Sequence, residues 1–572
     1  MILQALASYY EVLREKGVLA EPGWAPAGIS YALEINDEGE ITGLYNLKIE
    51  VPKGKKTAIV PQQIVVPAAV KRAVGIVGNF LWDNGAYLLG LSGKDPERAV
   101  KCFVYSRQYH HTLLASAESP EAKALLNFFD RREPSDVTPF AHDTDALNDI
   151  LNGANLVFLY RGKYLHEYPS LHKVWTEQYL VEGDGEKYPC LISGKMAVPQ
   201  RLHPNIKGVR GAQSSGASLV SFNAQAFESY NREQGMNAPT SGYGAFAYGA
   251  ALNYLLSRQN HHIGDTTVLF WAKSGEVAYE NLMDTALFDT YSETSLSGTL
   301  DSLMKGQSVE FEETLLDPNM EFYILGLAPN AARLSVRFFL RNSFGSFVKN
   351  VNNHHKRMEI VKPSNEKFDS VPLWVMLNET VNQNSRDKTP VPGMAGQTLS
   401  AILNNTTYPA TLITGVEMRI KADRTIKRNR AAIIKAYYLK NEHPDVPKEV
   451  LQVSLNKDST NLPYNLGRLF SLLEAIQSAA NPGINTTIMD RYFSSASATP
   501  AVVFPTLINL AQKHLKKIGG GLAVSYEKQL TELIGKMEVE HFPTHLSLQQ
   551  QGAFQLGYYH QTQVRYEKKE EK

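Results

Sequence analysis

The 572-residue sequence predicts an α+β protein: a mixed strand/helix N-terminal two-thirds followed by an all-helical C-terminal bundle. Three observations carry that expectation. Short runs rich in β-branched and aromatic residues, bounded by Gly, Pro, Asn and Asp, recur through the first part of the chain. Apolar residues at 3.6-residue spacing dominate from TLSAIL (398–403) onward. Between these regimes VNQNSRDKTPVPGMAGQ (381–397) concentrates turn-forming residues. The division is placed at 1–385 for the α+β region and 386–572 for the helical bundle.

The elements follow in order. MILQALASYYEVLREKG opens the chain as an amphipathic helix, with no basic leader before its apolar residues. GISYALEI and EITGLYNLKI read as two strands joined by a turn ending at Gly39, and IVPQQIVVP (59–67) as another strand. PERAVKCFVYSRQYHHTLLAS begins a helix at Pro96, a residue suited to the first turn. GDTTVLFWA (264–272) is a buried strand by composition. Residues 321–328 and 332–341 form a hairpin around Pro329-Asn330. Strict alternation in the second strand puts Arg333, Ser335, Arg337, Phe339 and Arg341 on one face, with Leu334, Val336, Phe338 and Leu340 on the other. In the C-terminal region LGRLFSLLEAIQSAAN, TPAVVFPTLINLAQKHLKKIGGG and AVSYEKQLTELIGKME keep helical periodicity. The basic stretch 419–440 is expected to run about 33 Å as one helix.

Composition excludes several classes. Lys plus Arg and Asp plus Glu both total 58, so a uniformly basic coat protein is ruled out. Two cysteines, Cys102 and Cys190, build neither a disulfide framework nor a four-thiolate metal site, which points to a reducing compartment. No apolar run approaches the roughly 18 residues of a membrane span, so a cytoplasmic chain without membrane contact is expected. The zero net charge is segregated. Residues 43–72 carry six basic residues against Glu50 (+5), and 195–216 carry Lys195, Arg201, Lys207 and Arg210 without an acid (+4). Residues 276–321 hold eleven acids against Lys305 (−10), 322–362 seven basic residues against Glu359 (+6), and 417–440 eight against two acids (+6). Any one block is compatible with a solvated surface. Together they fit a protein that grips a polyanion along chosen surfaces.

Catalytic signatures are weak. Gly93-Lys94 and Gly194-Lys195 lack the rest of a phosphate-binding loop. The pairs His110-His111, His261-His262 and His354-His355 point adjacent side chains in different directions, a poor arrangement for one ion. His142-Asp143 has no identifiable partners. A binding protein with no catalytic residues, metal or cofactor is therefore expected. The most distinctive loop is KGVRGAQSSGASLVSFN (207–223): Gly208, Gly211 and Gly216 allow close backbone approach, while Lys207, Arg210, Gln213, Ser214 and Ser215 bring charge and base-edge donors and acceptors. The PKGKK tip (52–56) offers a second basic loop.

LVSFNAQAFESYNREQGMNAP (219–239), AFAYGAALNYLL (245–256) and GDTTVLFWA (264–272) resemble the signature core of the large subunit of the type I-C CRISPR surveillance complex, Cascade. FYILGLAPNAARLSVRFF (322–339) and LSLQQQGAFQLGYYHQ (546–561) are similar to two further blocks of that family, in the same order. The resemblance implies a subunit near the 5′ handle of the CRISPR RNA. It would recognise the protospacer-adjacent motif in double-stranded DNA, promote duplex opening and R-loop formation, and support recruitment of a separate helicase-nuclease in antiviral defence. Its partners would be the CRISPR RNA, double-stranded target DNA and the displaced single strand, the backbone subunits, the RNA-end-binding subunit and the small subunits. The C-terminal bundle would resemble a small subunit.

Within that reading, motif recognition is assigned to Lys207, Arg210, Gln213, Ser214 and Ser215 with Lys53, Lys55, Lys71, Arg72 and Asn79. Phosphate contacts go to Arg333, Arg337 and Arg341, and displaced-strand binding to Arg424, Lys427, Arg428 and Arg430. The alternatives are a metal-dependent nuclease using His142, Asp143 and one histidine pair, or a purely structural bridge of the ribonucleoprotein.

Overall fold

Leu6, Tyr9, Tyr10 and Leu13 recur at three- to four-residue spacing and form the buried face of α1 (Ile2–Glu15), the predicted opening helix. The computed structural model describes residues 2–53, 56–70, 75–180, 185–288, 293–363, 366, 370–537 and 541–565. The chain divides into one unit of residues 1–204 with 220–252 and a second of 205–219 with 253–572.

In the first unit β1 (Trp24–Ile29) precedes β2 (Tyr31–Ile35) and β3 (Ile41–Asn46). The last two form the predicted hairpin, and Gly39 adopts φ 81° in the connecting turn. The expected strand over 59–67 is two. Pro61 has no N–H to donate, and the run breaks there into Lys56–Val60, paired with Ile49–Lys53, and β4 (Gln62–Pro67), paired with β1. β5 (Trp82–Asn84) and β6 (Asn155–Tyr160) complete a sheet in the order β3-β2-β6-β5, with Lys163–Tyr164 beside β6. The β2–β6 pairing is parallel. Asp95 caps α2 (Pro96–Leu113) by accepting from the Arg98 N–H at 3.0 Å. Phe103 of α2 and Phe128 and Phe129 of α3 (Pro120–Arg131) pack in one core with Leu33 and Phe158 of the sheet.

The second unit is built on a six-stranded sheet: β7 (Asn205–Ile206), β8 (Ala217–Ser218), β9 (His261–Ile263), β10 (Thr266–Ala272), β11 (Glu321–Asn330) and β12 (Arg333–Ser343). Its order is β7-β8-β12-β11-β10-β9. Every residue of β10 is buried, which explains its unbroken apolar composition. The β11–β12 hairpin turns at Ala331-Ala332, two residues beyond the predicted Pro329-Asn330.

Helices follow: α4 (Phe344–Met358), α5 (Met394–Leu403), α6 (Ala410–Asp423), α7 (Arg428–Asn441), α8 (Leu462–Ala480), α9 (Pro500–Ile518), α10 (Gly520–Gly535) and α11 (Leu548–Val564). The predicted division at 385/386 falls inside this second unit, ahead of α5. The mixed N-terminal architecture and helical C-terminal region agree with the predicted fold class. The single helix predicted over 419–440 is two, because Arg424 takes a left-handed φ of 51° that ends α6 and Lys427 restarts the chain as the cap of α7.

Candidate nucleic-acid interface

The loop 207–216 joins β7 to β8 at the sheet edge. Both ends are fastened within the second unit. The Lys207 N–H donates to Asn253 Oδ1 at 2.8 Å, and Asn253 Nδ2 donates to the Asn205 carbonyl at 3.2 Å. Gly216 sits at φ 100° with its α-carbon so close to Asn205 that a Cβ would lie 2.9 Å from that residue's own. Gly211, at φ 81°, lies against Pro329 near the end of β11. Val209 is buried and anchors the middle. Lys207, Arg210, Gln213, Ser214 and Ser215 all face solvent. The sequence thus groups five exposed polar or cationic side chains on a loop whose backbone is pinned. Burial, and after it the neighbouring charges of Arg210 and His261, hold the His262 pKa below its ordinary value.

β8 runs parallel to β12 through the Ser218–Arg333 pair, and the Ser218 N–H donates to the Ala332 carbonyl at 3.0 Å. Arg333 therefore stands beside the exit of the loop. The predicted row of three arginines does not survive. Leu327 pairs with Val336 while Gly326 pairs with Phe338, leaving Arg337 as the extra residue of a β-bulge. Arg333 and Ser335 consequently share the face of Ala328 and Asn330, whereas Arg341, opposite Tyr323, lies on the other. Arg341 is ion-paired with Glu321, which also holds Lys273 at 3.1 Å. Arg337 reaches Asp265 at 2.6 Å. With Ser335 it lines a cleft of about 540 Å³ closed by Gly396, Gln397, Ser400 and Thr407. Gln397 and Ser400, on the first turns of α5, are polar neighbours the charge count passed over. Their i, i+3 spacing, which puts both on one face of α5, was the available signal.

The displaced-strand set divides by burial. Arg424 and Lys427 are exposed at the corner between α6 and α7. Arg428 and Arg430 are buried, only 6% and 3% exposed. Arg428 meets Glu366 at 2.7 Å, and Arg430 binds Glu379 at 2.8 Å together with Asp423. Guanidinium groups consumed in this way are unavailable to a phosphate backbone, so these two residues are corrected to internal braces.

Of the N-terminal set, Lys53 ends the strand Ile49–Lys53, and Lys55, Lys71 and Arg72 lie outside the described residues. Asn79 is buried, and its Oδ1 accepts from the Val70 N–H at 3.0 Å; that is a structural position and not a solvent-facing one. Asp143 caps the helix Thr144–Leu151, while His142 is exposed. His110 is wholly buried, with Nε2 accepting from the Leu81 N–H and its pKa pushed down to about 4 by desolvation. His354 is likewise buried against the Tyr408 hydroxyl. Among the described residues no three His, Cys, Asp or Glu side chains gather as a metal site. No helix among them is long and apolar enough to cross a membrane.

A mixed α/β chain with a helical C-terminal region, carrying its signature blocks from the first helix to the last, falls in the class of CRISPR-associated proteins. The model of the family CRISPR-associated protein (Cas_Csd1) matches residues 6–566, and the chain belongs to that family. This makes it a large subunit of a CRISPR Cascade. No curated protein matches the chain.

Proposed function

We propose that the chain serves a type I-C Cascade as its reader of the protospacer-adjacent motif, without catalytic activity, metal or cofactor of its own. In this role it contacts double-stranded DNA through the 207–216 loop, promotes duplex opening and R-loop formation, and supports recruitment of a separate helicase-nuclease. CRISPR RNA, backbone subunits, the RNA-end-binding subunit and small subunits are its proposed partners, in the cytoplasm. The observation that carries the reading is the pinned loop itself, with Lys207, Arg210, Gln213, Ser214 and Ser215 all presented to solvent.

The chemistry follows from the division of labour in guided recognition. Base pairing with the guide reads the target, so the protein needs a few base contacts and many phosphate contacts. Arg210 is suited to bidentate contact with guanine, and Gln213 to adenine. Fixed loop ends reduce the ordering entropy lost on binding. Arg333 at the loop exit and Arg424 with Lys427 at the helical corner provide cations for phosphates. A gel shift of the assembled complex against duplexes with a randomised flanking trinucleotide tests the proposal. Selective retention of a motif is the expected result, and indifference to the trinucleotide would refute it.

A further inference from the structure

We infer that Tyr230 is a stacking residue for an unpaired nucleobase. The inference rests on the nucleic-acid reading above and adds a contact that neither the basic loop nor the arginines supply. Tyr230 is 93% exposed, and among the described residues its ring and hydroxyl have no partner. A side chain so placed contributes nothing to the core. Its backbone is nevertheless held in an unfavourable state. The Arg232 N–H donates to the Ser229 carbonyl at 3.1 Å, closing a four-residue turn whose central residues, Tyr230 and Asn231, have φ 54° and 55°. Positive φ at both centres is the requirement of a type I′ turn, which favours Asn-Gly. Asn231 stands where Gly is preferred and tolerates positive φ as asparagine does, but a bulky aromatic at the first centre is an outlier.

The surrounding loop enforces that geometry. Asn237 Oδ1 accepts from the Ser229 N–H at 2.8 Å, and its Nδ2 donates to the carbonyls of Arg232 and Gln234. Arg201 Nε donates to Gln234 Oε1 at 2.9 Å. The Gly235 N–H donates to the Arg201 carbonyl, and the Gly235 α-carbon approaches Gln200 too closely to carry a Cβ. A braced loop therefore holds one aromatic ring in water at the expense of local strain, the pattern expected where strain serves a binding site. A planar ring without a surrounding pocket is a poor hydrophobic anchor for a protein and a sufficient platform for a base, since every base presents a π-face. Exposed Asn231 and Arg232 stand beside it, with an amide for base edges and a guanidinium for phosphate.

Tyr230→Gly separates this role from a structural one, because glycine relieves the positive φ while removing the ring. With the full chain and a mixed-sequence single strand carrying 2-aminopurine, Tyr230→Gly is expected to keep or raise the melting temperature. It should weaken binding about 5- to 150-fold and abolish 2-aminopurine quenching. Tyr230→Phe should bind within about twofold of the parent, since stacking needs the ring alone. Parental affinity in Tyr230→Gly, with the parent itself binding the strand, overturns the inference. Loss of assembly with the other subunits while strand binding is intact also overturns it, assigning the ring to a protein contact. Failure of the parent to bind nucleic acid alone or in the assembled complex refutes the underlying functional reading instead.

Discussion

Arg430 holds Glu379 at 2.8 Å across 51 residues of sequence, in a site where the arginine side chain is 4% and the glutamate side chain 15% exposed. The same guanidinium binds Asp423 at the end of α6 and donates to the Thr425 carbonyl at 3.0 Å. One side chain at the start of α7 therefore fixes the corner at which the expected long helix breaks. It also satisfies the Thr425 carbonyl, which lies in the connection between α6 and α7 and has no helical partner position.

Removing Arg430 leaves the largely buried Glu379 carboxylate without its guanidinium, whereas Asp423, partly exposed, keeps Arg419. Loss of one partner from a buried ion pair costs about 3–5 kcal/mol. Arg430→Ala should lower the urea midpoint of the second unit by a corresponding amount. Glu379→Gln, which keeps a hydrogen-bond acceptor, should cost less. Equal midpoints for the parent and Arg430→Ala would show that the corner is held by other contacts.

The crossing of α8 and α11 sets a second constraint. A Cβ on Gly467 would lie 1.9 Å from the Phe554 carbonyl oxygen, and one on Gly557 would lie 2.0 Å from that of Tyr464. Each helix thus needs glycine where the other's backbone passes. Alanine ordinarily favours a helix over glycine by about 1 kcal/mol. Here Gly467→Ala and Gly557→Ala should instead destabilise by about 1–3 kcal/mol or more, because backbone and not a flexible side chain has to move. A thermal shift to higher temperature in either variant would contradict the crossing.

Local pattern made some of this legible and long-range packing hid the rest. The β2–β3 and β11–β12 hairpins were readable because their paired strands and turn residues are contiguous in sequence. The bulge at Arg337 was not. The Phe338 ring sits over Gly326, within 2.5 Å of where a Cβ would be, and only the paired strand shows that fit. Alternation counted along β12 alone therefore put Arg341 on the wrong face. Charge counting found the loop 207–216, whose cations are exposed, but could not see that Arg428 and Arg430 meet Glu366 and Glu379, acids more than 50 residues away.

Glu417 gives the helical region a pH signature. Burial on α6 raises its pKa to about 7, against a modest opposing influence of Lys421. The folded chain holds this proton more tightly than the unfolded chain does. The stabilisation is complete below the unfolded carboxyl pKa near 4.3 and is lost as pH rises toward about 7. Glu417→Gln removes the titration, so it should match the parent near pH 4–5 and exceed it by about 1–3 kcal/mol at pH 8. Denaturation of both proteins across pH 4.5–8 checks this, and a constant difference between them would assign the effect elsewhere.

The proposed reading of DNA separates base contacts from phosphate contacts, and burial divides the cations concerned into exposed and internally paired ones. Arg210→Gln removes an exposed guanidinium from a fixed loop, so it should erode discrimination between matched and mismatched flanking motifs by about 1–3 kcal/mol. Arg424→Gln and Lys427→Gln should weaken all duplexes evenly and each reduce the slope of log affinity against log salt by about 1. Arg428→Gln belongs to neither class. Its guanidinium is committed to Glu366, so the substitution should lower the denaturation midpoint before it changes any salt slope. Gel shifts at several salt concentrations, paired with melting curves of the same preparations, distinguish the three patterns. If Arg210→Gln and Lys427→Gln shift matched and mismatched motifs alike, the loop is one more phosphate contact and the motif is read elsewhere.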